Sequence, residues 1–376
     1  MLAQLVHQVK PSAQTTRTYG RYGALGACGL REEPLICLKI YSLFSSCGEL
    51  QMCNYFVVSL CVSTVCSFIF LQNFIRFLGK KTSTQVREYT PQTHQLKGKV
   101  PSFGGLVWCI VVPVLCVLAG LRVADETSCS GELLCALLAL VLFGVCGFID
   151  DWAKLKKSKG ITACSKWVLQ WVFAFTIVAL WLWTAGPEAS FLYSYTWFLP
   201  EVLRVICVTL WSAFVMVGVS NAVNLTDGID GLAGGTSLFV FAGAAFIAYY
   251  TCPALLFFAI MLMAALLAFL WFNAYPAKIF MGDIGALSLG AAMGFMFLAL
   301  KVEFLLIPMG IIFVGNTLSV MLQVASFKLT GKRIFRIAPV HHHFELVGMH
   351  ESTIVMRAYL ITIFMCAVTC ALWFCW

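Results

Sequence analysis

The sequence predicts an all-α integral membrane protein, a bundle of about ten transmembrane helices with an active-site cleft on its cytoplasmic face. Hydrophobic residues make up 61% of the 376 residues and charged residues 11%, and the mean hydropathy is +0.89. Soluble domains are about 45–50% apolar and about 25% charged. Because the charged residues are also grouped between apolar stretches, we place the chain in a bilayer.

The apolar segments follow one another with polar loops between them. Each has about 17 to 25 residues, the length that a helix needs to cross about 30 Å of hydrocarbon. The predicted spans are 54–78, 103–121, 132–149, 167–186, 202–220, 235–250, 254–272, 284–300, 304–327 and 354–374.

Residues 1–51 differ from the rest because they are polar and charged, with no apolar run long enough to cross a bilayer. They also lack the apolar stretch of a signal peptide. We expect them to be a disordered extension, or to precede a natural start at Met52. Residues 52–376 are expected to form a single polytopic catalytic domain.

Basic residues separate the loops into two alternating sets. One set holds only Arg122 and Lys301. The other holds Lys80, Lys81, Arg87, Lys97, Lys99, Lys154, Lys156, Lys157, Lys159, Lys166, Lys278, Lys328, Lys332, Arg333 and Arg336. The positive-inside rule makes the second set cytoplasmic and places both termini outside. The net charge of +8 is therefore explained by topology, and no nucleic-acid partner is expected.

The acidic residues are concentrated on the same side. Five of the six aspartates lie in the predicted cytoplasmic loops, near the mouths of spanning helices. A transporter of anions would also use basic loops, but it more often places ionisable groups near the bilayer midplane, in two matching halves. The observed location favours chemistry at the membrane surface.

The first acidic cluster is residues 147–154 (GFIDDWAK). On a helix, Asp150 and Lys154 share a face, whereas Asp151 points about 100° away. One carboxylate could therefore meet a metal or a cation while the other has a different role. A solvated helix end with an ion pair explains the same pattern.

The second cluster, residues 220–235 (SNAVNLTDGIDGLAGG), contains two amides, two acids and four glycines. Glycine lets a backbone approach a ligand closely and offers N–H donors to phosphate oxygens. Amides and carboxylates can recognise a sugar or a base. A turn between two helices needs fewer such residues, so this segment predicts a binding loop.

Two further clusters follow. In residues 273–285 (NAYPAKIFMGDIG), Asp283 is either a functional acid or a helix N-cap, and Phe280 either a stacking face or an interfacial anchor. In residues 338–345 (APVHHHFE), three consecutive histidines cannot all face one ion. Nearby carboxylates indicate Mg²⁺, with histidine handling phosphate or protons. Together the clusters predict phosphoryl transfer without a P-loop.

These four clusters resemble the motifs of the polyprenyl-phosphate N-acetylhexosamine-1-phosphate transferases. Within that superfamily the chain is most similar to the phospho-N-acetylmuramoyl-pentapeptide transferase family, which is of the glycosyltransferase 4 type. The resemblance runs from about residue 54 to the C-terminus and covers all ten predicted spans. The segments 221–235 and 339–345 are highly specific, and the latter separates this family from relatives with other hexosamine donors.

The resemblance implies a Mg²⁺-dependent reaction in a bacterial cytoplasmic membrane. UDP-N-acetylmuramoyl-pentapeptide and undecaprenyl phosphate would give undecaprenyl-pyrophosphoryl-N-acetylmuramoyl-pentapeptide (lipid I) and UMP, the first membrane step of peptidoglycan synthesis. The lipid phosphate would attack the β-phosphate of the donor. A homodimer is what the resemblance suggests. The nearer rival is a sister transferase that uses UDP-N-acetylglucosamine.

The resemblance also implies roles for individual residues. Asp283 would hold Mg²⁺ with Asp151 close to the metal, and Asp150 would deprotonate or orient the lipid phosphate. Asn221, Asn224, Asp227 and Asp230 would line the nucleotide-sugar pocket, with Asn273, Phe280 and Gln323 near the uridine. Lys97, Lys154 and Lys166 would complement phosphates, and His341, His342 and His343 would contact the sugar-phosphate side. The chain departs from the family's usual GTPTMGG stretch, because Val100 replaces the first threonine.

Overall fold

A computed structural model describes residues 47–78, 100–123, 130–157 and 160–375. Within these ranges the chain is helical, with no β-strand. Residues Met52–Trp376 form one compact unit, and all of the helices below, apart from the first residues of α1, lie in it. The all-α fold predicted from composition is therefore confirmed.

Thirteen α-helices follow one another in these ranges. They are α1 (Cys47–Leu78), α2 (Leu106–Val123), α3 (Ser130–Lys157), α4 (Ala163–Ala185), α5 (Phe191–Tyr195), α6 (Glu201–Thr226), α7 (Leu232–Thr251), α8 (Pro253–Asn273), α9 (Gly282–Ala299), α10 (Leu306–Met309), α11 (Ile311–Thr330), α12 (Val340–Leu346) and α13 (Glu351–Cys375).

Nine helices of the described ranges are long and apolar enough to cross a membrane. The predicted second span corresponds to α2, whose apolar stretch Leu106–Leu118 is shorter and whose interior contains Pro113. The predicted span 304–327 is interrupted, because the short helix α10 ends at Met309 and Gly310 separates it from α11. Each remaining predicted span matches one helix. Most of the predicted ends lie within a few residues of the ends of that helix.

Helix α9 lies at the centre of the bundle, where it packs against α3 and α6. Eighty-three per cent of its residues are buried, compared with 22% of the spanning window of α1 and 17% of that of α11. Its glycines, alanines and Ser288 let neighbouring backbones approach closely, as small residues do in membrane bundles. Exposed apolar side chains such as Val58 and Phe364 lie on the peripheral helices, where lipid would cover them.

One glycine sets the contact between α3 and α9. A Cβ atom on Gly147 would lie 2.3 Å from the backbone carbonyl of Asp283 and from the nitrogen of Ile284. No side chain fits at that distance, so only glycine allows the first turn of α9 to lie against the end of α3. The carboxylates of Asp150 and Asp151 are thereby brought beside Asp283.

A short backbone pairing supports the beginning of α9. The N–H of Phe280 donates to Pro101 O at 2.9 Å, and the N–H of Gly104 donates to Phe280 O at 2.8 Å. The N–H of Gly105 then donates to Met281 O at 3.0 Å. The segment in which the chain departs from the family pattern therefore braces the loop that leads to Asp283.

Candidate active site

Three carboxylates converge where α3 ends and α9 begins. Asp150 and Asp151 occupy consecutive positions near the end of α3, and Asp283 lies in the first turn of α9. One oxygen from each lies within 4.8 Å of the others. Asp150 and Asp151 are buried, whereas the Asp283 side chain is 19% exposed and so the most accessible of the three. Three clustered carboxylate oxygens match the ligand preference of a hard cation such as Mg²⁺.

Two lysines lie against this carboxylate group. The Nζ atom of Lys154 is 2.8 Å from Asp150 Oδ2, 3.0 Å from Asp151 Oδ1 and 2.8 Å from Asp283 Oδ2. Lys166 Nζ lies 2.6 Å from the same oxygen of Asp283 and 3.8 Å from Asp150. The i,i+4 ion pair that the sequence left as an alternative explanation is present within α3, but its lysine also contacts a carboxylate 129 residues away in the chain.

Each carboxylate is also held by an uncharged donor. Asp150 Oδ1 accepts from the N–H of Ile161 at 2.8 Å, and Asp283 Oδ1 accepts from Asn224 Nδ2 at 2.9 Å. Asp151 Oδ2 accepts from the N–H of Ile284 at 3.2 Å. Asp151 thus satisfies an N–H in the first turn of α9 from another helix. The sequence left open an N-cap role for Asp283. In the structure, Met281 occupies the N-cap position of α9 and Asp283 lies in its first turn.

The loop between α6 and α7 carries the two acids of the second cluster. Burial, together with the negative charges of Asp283 and Asp151, raises the pKa of Asp227 to about 8 against the opposing effect of Lys154. Asp230 is buried, and its Oδ2 accepts from the N–H of Ala277 at 3.0 Å. Asp227 therefore belongs electrostatically to the carboxylate group, whereas Asp230 ties its own loop to the loop before α9.

Two of the predicted binding amides make contacts inside the protein. Asn273 is 2% exposed, accepts from the N–H of Gly231 at 3.0 Å and donates to Ile279 O at 2.8 Å. Asn221 donates to Gln170 Oε1 at 2.8 Å, which joins α6 to α4. Both amides are paired within the protein, and their predicted contacts with sugar and uridine stay predictions.

The histidines lie on the short helix α12, which follows Pro339. His341 is buried, and its Nδ1 lies 2.9 Å from Asn316 Oδ1. His342 Nδ1 lies 2.5 Å from Glu345 Oε2. His343 Nδ1 accepts from the N–H of Arg336 at 3.2 Å. The three rings therefore have three different partners.

Helix α12 approaches the binding loop at Gly228. A Cβ atom there would lie 2.3 Å from His341 Nε2 and 2.9 Å from His342 Nε2. The structure therefore joins the second and fourth sequence clusters into one region next to Asp227.

Three further residues were predicted to contact uridine or phosphate. Gln323 accepts from the N–H groups of Ile334 and Phe335 and donates to Phe335 O, so it holds the loop before α12. Phe280 is half-buried next to α9. Lys97 lies outside the described residues. The predicted contacts of these side chains with uridine or phosphate are not tested by their positions.

The sequence reasoning missed Gln170 and Asn316 and gave no role to Glu345. Gln170 is 1% exposed and Asn316 is 2% exposed, and each pairs with a side chain that had been singled out. An amide within an apolar spanning segment is costly unless it is paired. That cost was the signal by which both amides could have been found.

Comparison with known proteins agrees with the family resemblance of the sequence motifs. A sequence model of the glycosyl transferase family 4 matches residues 133–301. Two curated relatives from Leptospira biflexa serovar Patoc, one from strain Patoc 1 / Ames and one from strain Patoc 1 / ATCC 23582 / Paris, carry the name phospho-N-acetylmuramoyl-pentapeptide-transferase. Each is 39% identical over 334 residues, which cover 81% of this chain and 88% of the relative. The chain therefore belongs to the phospho-N-acetylmuramoyl-pentapeptide-transferase family.

Proposed function

We propose that the chain transfers phospho-N-acetylmuramoyl-pentapeptide from its UDP-linked donor to undecaprenyl phosphate, giving lipid I and UMP. Family membership supports the reaction class. The observation that carries the proposal is the convergence of Asp150, Asp151 and Asp283, which are supplied by two helices, beside a glycine-rich loop and a histidine helix. Such a set suits a pyrophosphate and its cation.

Asp283 and Asp151 would hold Mg²⁺, which would neutralise phosphate charge when bound. The oxygen ligands present support the binding of Mg²⁺ here, since three carboxylate oxygens that lie within 4.8 Å of one another suit a hard cation. The Asn224 amide would keep Asp283 oriented, because it donates to Oδ1 of that carboxylate while both lysines contact Oδ2. Asp151 would remain fixed by the N–H of Ile284.

The lipid phosphate would be the nucleophile in a single displacement. Its oxygen would bond to the β-phosphorus, the bond from that phosphorus to the bridging oxygen would break, and UMP would leave. Asp150 would take the proton of a monoanionic lipid phosphate or orient the dianion. The position of Asp150 beside Lys154 and Lys166 supports this role, because the two ammonium groups can hold the acceptor phosphate next to the Asp150 carboxylate.

The nucleotide-sugar would lie along the loop between α6 and α7. Asn224 and Asp227 would face it directly, and Asn221, Asn273 and Asp230 would fix the shape of its pocket, a division supported by their internal hydrogen bonds. Phe280 and Gln323 would lie near the uridine, Lys97 would complement phosphate, and His341, His342 and His343 would line the sugar-phosphate side.

The protein would be a multi-pass protein of a bacterial cytoplasmic membrane, with its site facing the cytoplasm, both termini outside and a homodimeric assembly. The distribution of basic residues between alternate loops supports this orientation. Lys154 and Lys166, which contact the carboxylates, belong to the set of basic residues that the positive-inside rule assigns to the cytoplasmic side.

The test is UMP release by purified protein supplied with undecaprenyl phosphate, Mg²⁺ and one UDP-sugar at a time. We expect release from UDP-N-acetylmuramoyl-pentapeptide and none from UDP-N-acetylglucosamine. Release from the acetylglucosamine donor alone would assign the chain to the sister reaction. Uptake of a UDP-sugar into vesicles without UMP release would instead indicate a transporter.

A further inference from the structure

The protonation pattern of the three consecutive histidines follows from their hydrogen-bond partners. His341 and His342 use Nδ1 to contact side-chain oxygens, of Asn316 and Glu345 respectively. His343 uses Nδ1 to accept a backbone N–H, that of Arg336. Because a neutral imidazole has one N–H and one acceptor nitrogen, these partners determine where each proton lies.

The orientation of the Asn316 amide follows from its second contact. Thr226 Oγ1 donates to Ala222 O at 2.9 Å, so its single proton is committed to its own helix. Asn316 Nδ2 lies 3.2 Å from that hydroxyl and must be the donor of the pair. The Asn316 oxygen then faces His341 and can only accept, which puts a proton on His341 Nδ1.

The network is anchored at both ends. Ser319 Oγ donates to Asn316 O at 2.6 Å and accepts from the N–H of Val340 at 3.0 Å, which fixes the start of α12 on α11. Asn316, Ser319 and His341 are all buried. A buried chain of this kind has few alternative arrangements, because every change leaves a desolvated polar group without its bond.

With the proton on Nδ1, the lone pair of neutral His341 lies on Nε2. That atom faces Gly228, where an added Cβ would lie 2.3 Å away. His343 has the opposite arrangement, because its Nδ1 accepts and its proton must lie on Nε2. Its ring packs against Phe335 in the preceding loop, with the centroids 5.8 Å apart.

We infer that Asn316 is a positioning residue that, with Thr226, holds His341 as a neutral acceptor directed at the loop between α6 and α7. The resulting acceptor nitrogen, Nε2, faces the backbone of the loop proposed to bind the nucleotide-sugar, so loss of the Asn316 contact would disturb that loop. This inference rests on the proposed function for the role of the loop, but the protonation pattern itself does not require substrate.

The first test is spectroscopic. Solid-state ¹⁵N NMR of bilayer-reconstituted, ¹⁵N-histidine-labelled protein at neutral pH reports the protonation of each ring nitrogen. His341→Gln and His343→Gln variants assign the signals. We expect a protonated Nδ1 and an unprotonated Nε2 for His341, with the reverse for His343. A protonated Nε2 on His341 would overturn the inference.

The second test uses Asn316→Leu and Asn316→Asp. The leucine variant removes the acceptor, and we expect kcat/KM to fall about tenfold or more, as when a buried polar group loses its partner. The aspartate variant also presents an oxygen to Nδ1, but its negative charge favours the imidazolium form and it has no N–H for Thr226. We therefore expect it to lose activity as well, with Nε2 of His341 protonated in the ¹⁵N spectrum. Wild-type activity in Asn316→Leu, or an unprotonated His341 Nε2 in Asn316→Asp, would contradict the positioning role.

A milder variant keeps the inference testable if Asn316→Leu does not fold. Thr226→Val removes the acceptor of the Asn316 amide without changing side-chain size, so we expect mixed His341 protonation in the ¹⁵N spectrum. An unchanged spectrum would count against the network. If wild-type protein released no UMP from any donor, the proposed function would fail while the ¹⁵N result would stand. Active wild-type protein with His341 protonated on Nε2 would defeat only the inference.

Discussion

The ammonium group of Lys154 lies 2.8 Å from the Asp283 carboxylate, although 129 residues separate them in the chain. The same Nζ atom contacts Asp150 and Asp151, so it occupies the middle of the three carboxylates. Two of those carboxylates, Asp151 and Asp283, are also the proposed ligands of Mg²⁺. The lysine and the metal would therefore compete for the same carboxylates, and Lys154 would have to move for the cation to bind.

Replacing Lys154 with Met should strengthen Mg²⁺ binding at least about fivefold, because one competing charge is worth about 1 kcal/mol or more at this range. The metal-free variant should unfold at a lower temperature, since the carboxylates repel one another. Isothermal titration calorimetry and thermal unfolding measure the two effects. Lys156→Met is the matched control, because Lys156 lies over the ring of Trp152. Identical Mg²⁺ affinity in wild type and Lys154→Met would contradict the competition.

The two amides of the second cluster should respond differently to truncation. Asn224→Ala removes the donor to Asp283, so we expect turnover to fall about tenfold and half-maximal activity to need more Mg²⁺. Asn221→Ala removes the contact with Gln170 between two helices, so it should lower the unfolding temperature more than the turnover. UMP release at varied Mg²⁺ and thermal unfolding separate the two. A stronger Mg²⁺ dependence in Asn221→Ala than in Asn224→Ala would refute the assignment.

Gly147→Ala should push α3 and α9 apart. The added methyl group would meet the Asp283 backbone at 2.3 Å, and overpacking of this kind costs about 1–3 kcal/mol. We expect a lower unfolding temperature and a loss of UMP release. Gly218→Ala is the control, because a Cβ there meets nothing within 4 Å. Unaltered stability and activity in Gly147→Ala would show that the two helices need not approach so closely.

Mg²⁺ binding should release protons near neutral pH. Without metal the pKa of Asp227 is raised to about 8, so its carboxyl is largely protonated at pH 7. A nearby cation favours the ionised form and lowers that pKa, so the proton leaves. Calorimetric titration in two buffers with different ionisation enthalpies measures the release, which should shrink at pH 9 and in Asp227→Asn. Proton uptake on Mg²⁺ binding at pH 7 would contradict this prediction.

The spans and the four clusters could be predicted because they depend on local properties. Each apolar run has the length of a helix that crosses the bilayer once. Adjacent acids beside glycines are unusual at a helix end, so the clusters also stand out in the sequence. The break in 304–327 was missed because hydropathy records apolar length and does not register that α10 ends at Met309, before Gly310.

The partner of each side chain could not be predicted from the same information. Asn221 and Asn224 are three residues apart on α6, yet one contacts α4 and the other contacts Asp283. Asp151 was assigned to a metal from the family motif, but its bond to the N–H of Ile284 depends on how α3 packs against α9. Tertiary packing decides these pairings, and a single sequence does not record it.

The most direct measurement combines cation binding with turnover in Asp283→Asn. Mn²⁺ can stand in for Mg²⁺, and its binding is followed by electron paramagnetic resonance beside UMP release. We predict that the variant remains folded in the membrane, loses Mn²⁺ binding and loses at least about 100-fold in kcat. The control Glu188→Gln, in the Pro187–Ala189 turn, should match wild type. Retention of both binding and turnover by Asp283→Asn would contradict the claim that these carboxylates hold the catalytic cation.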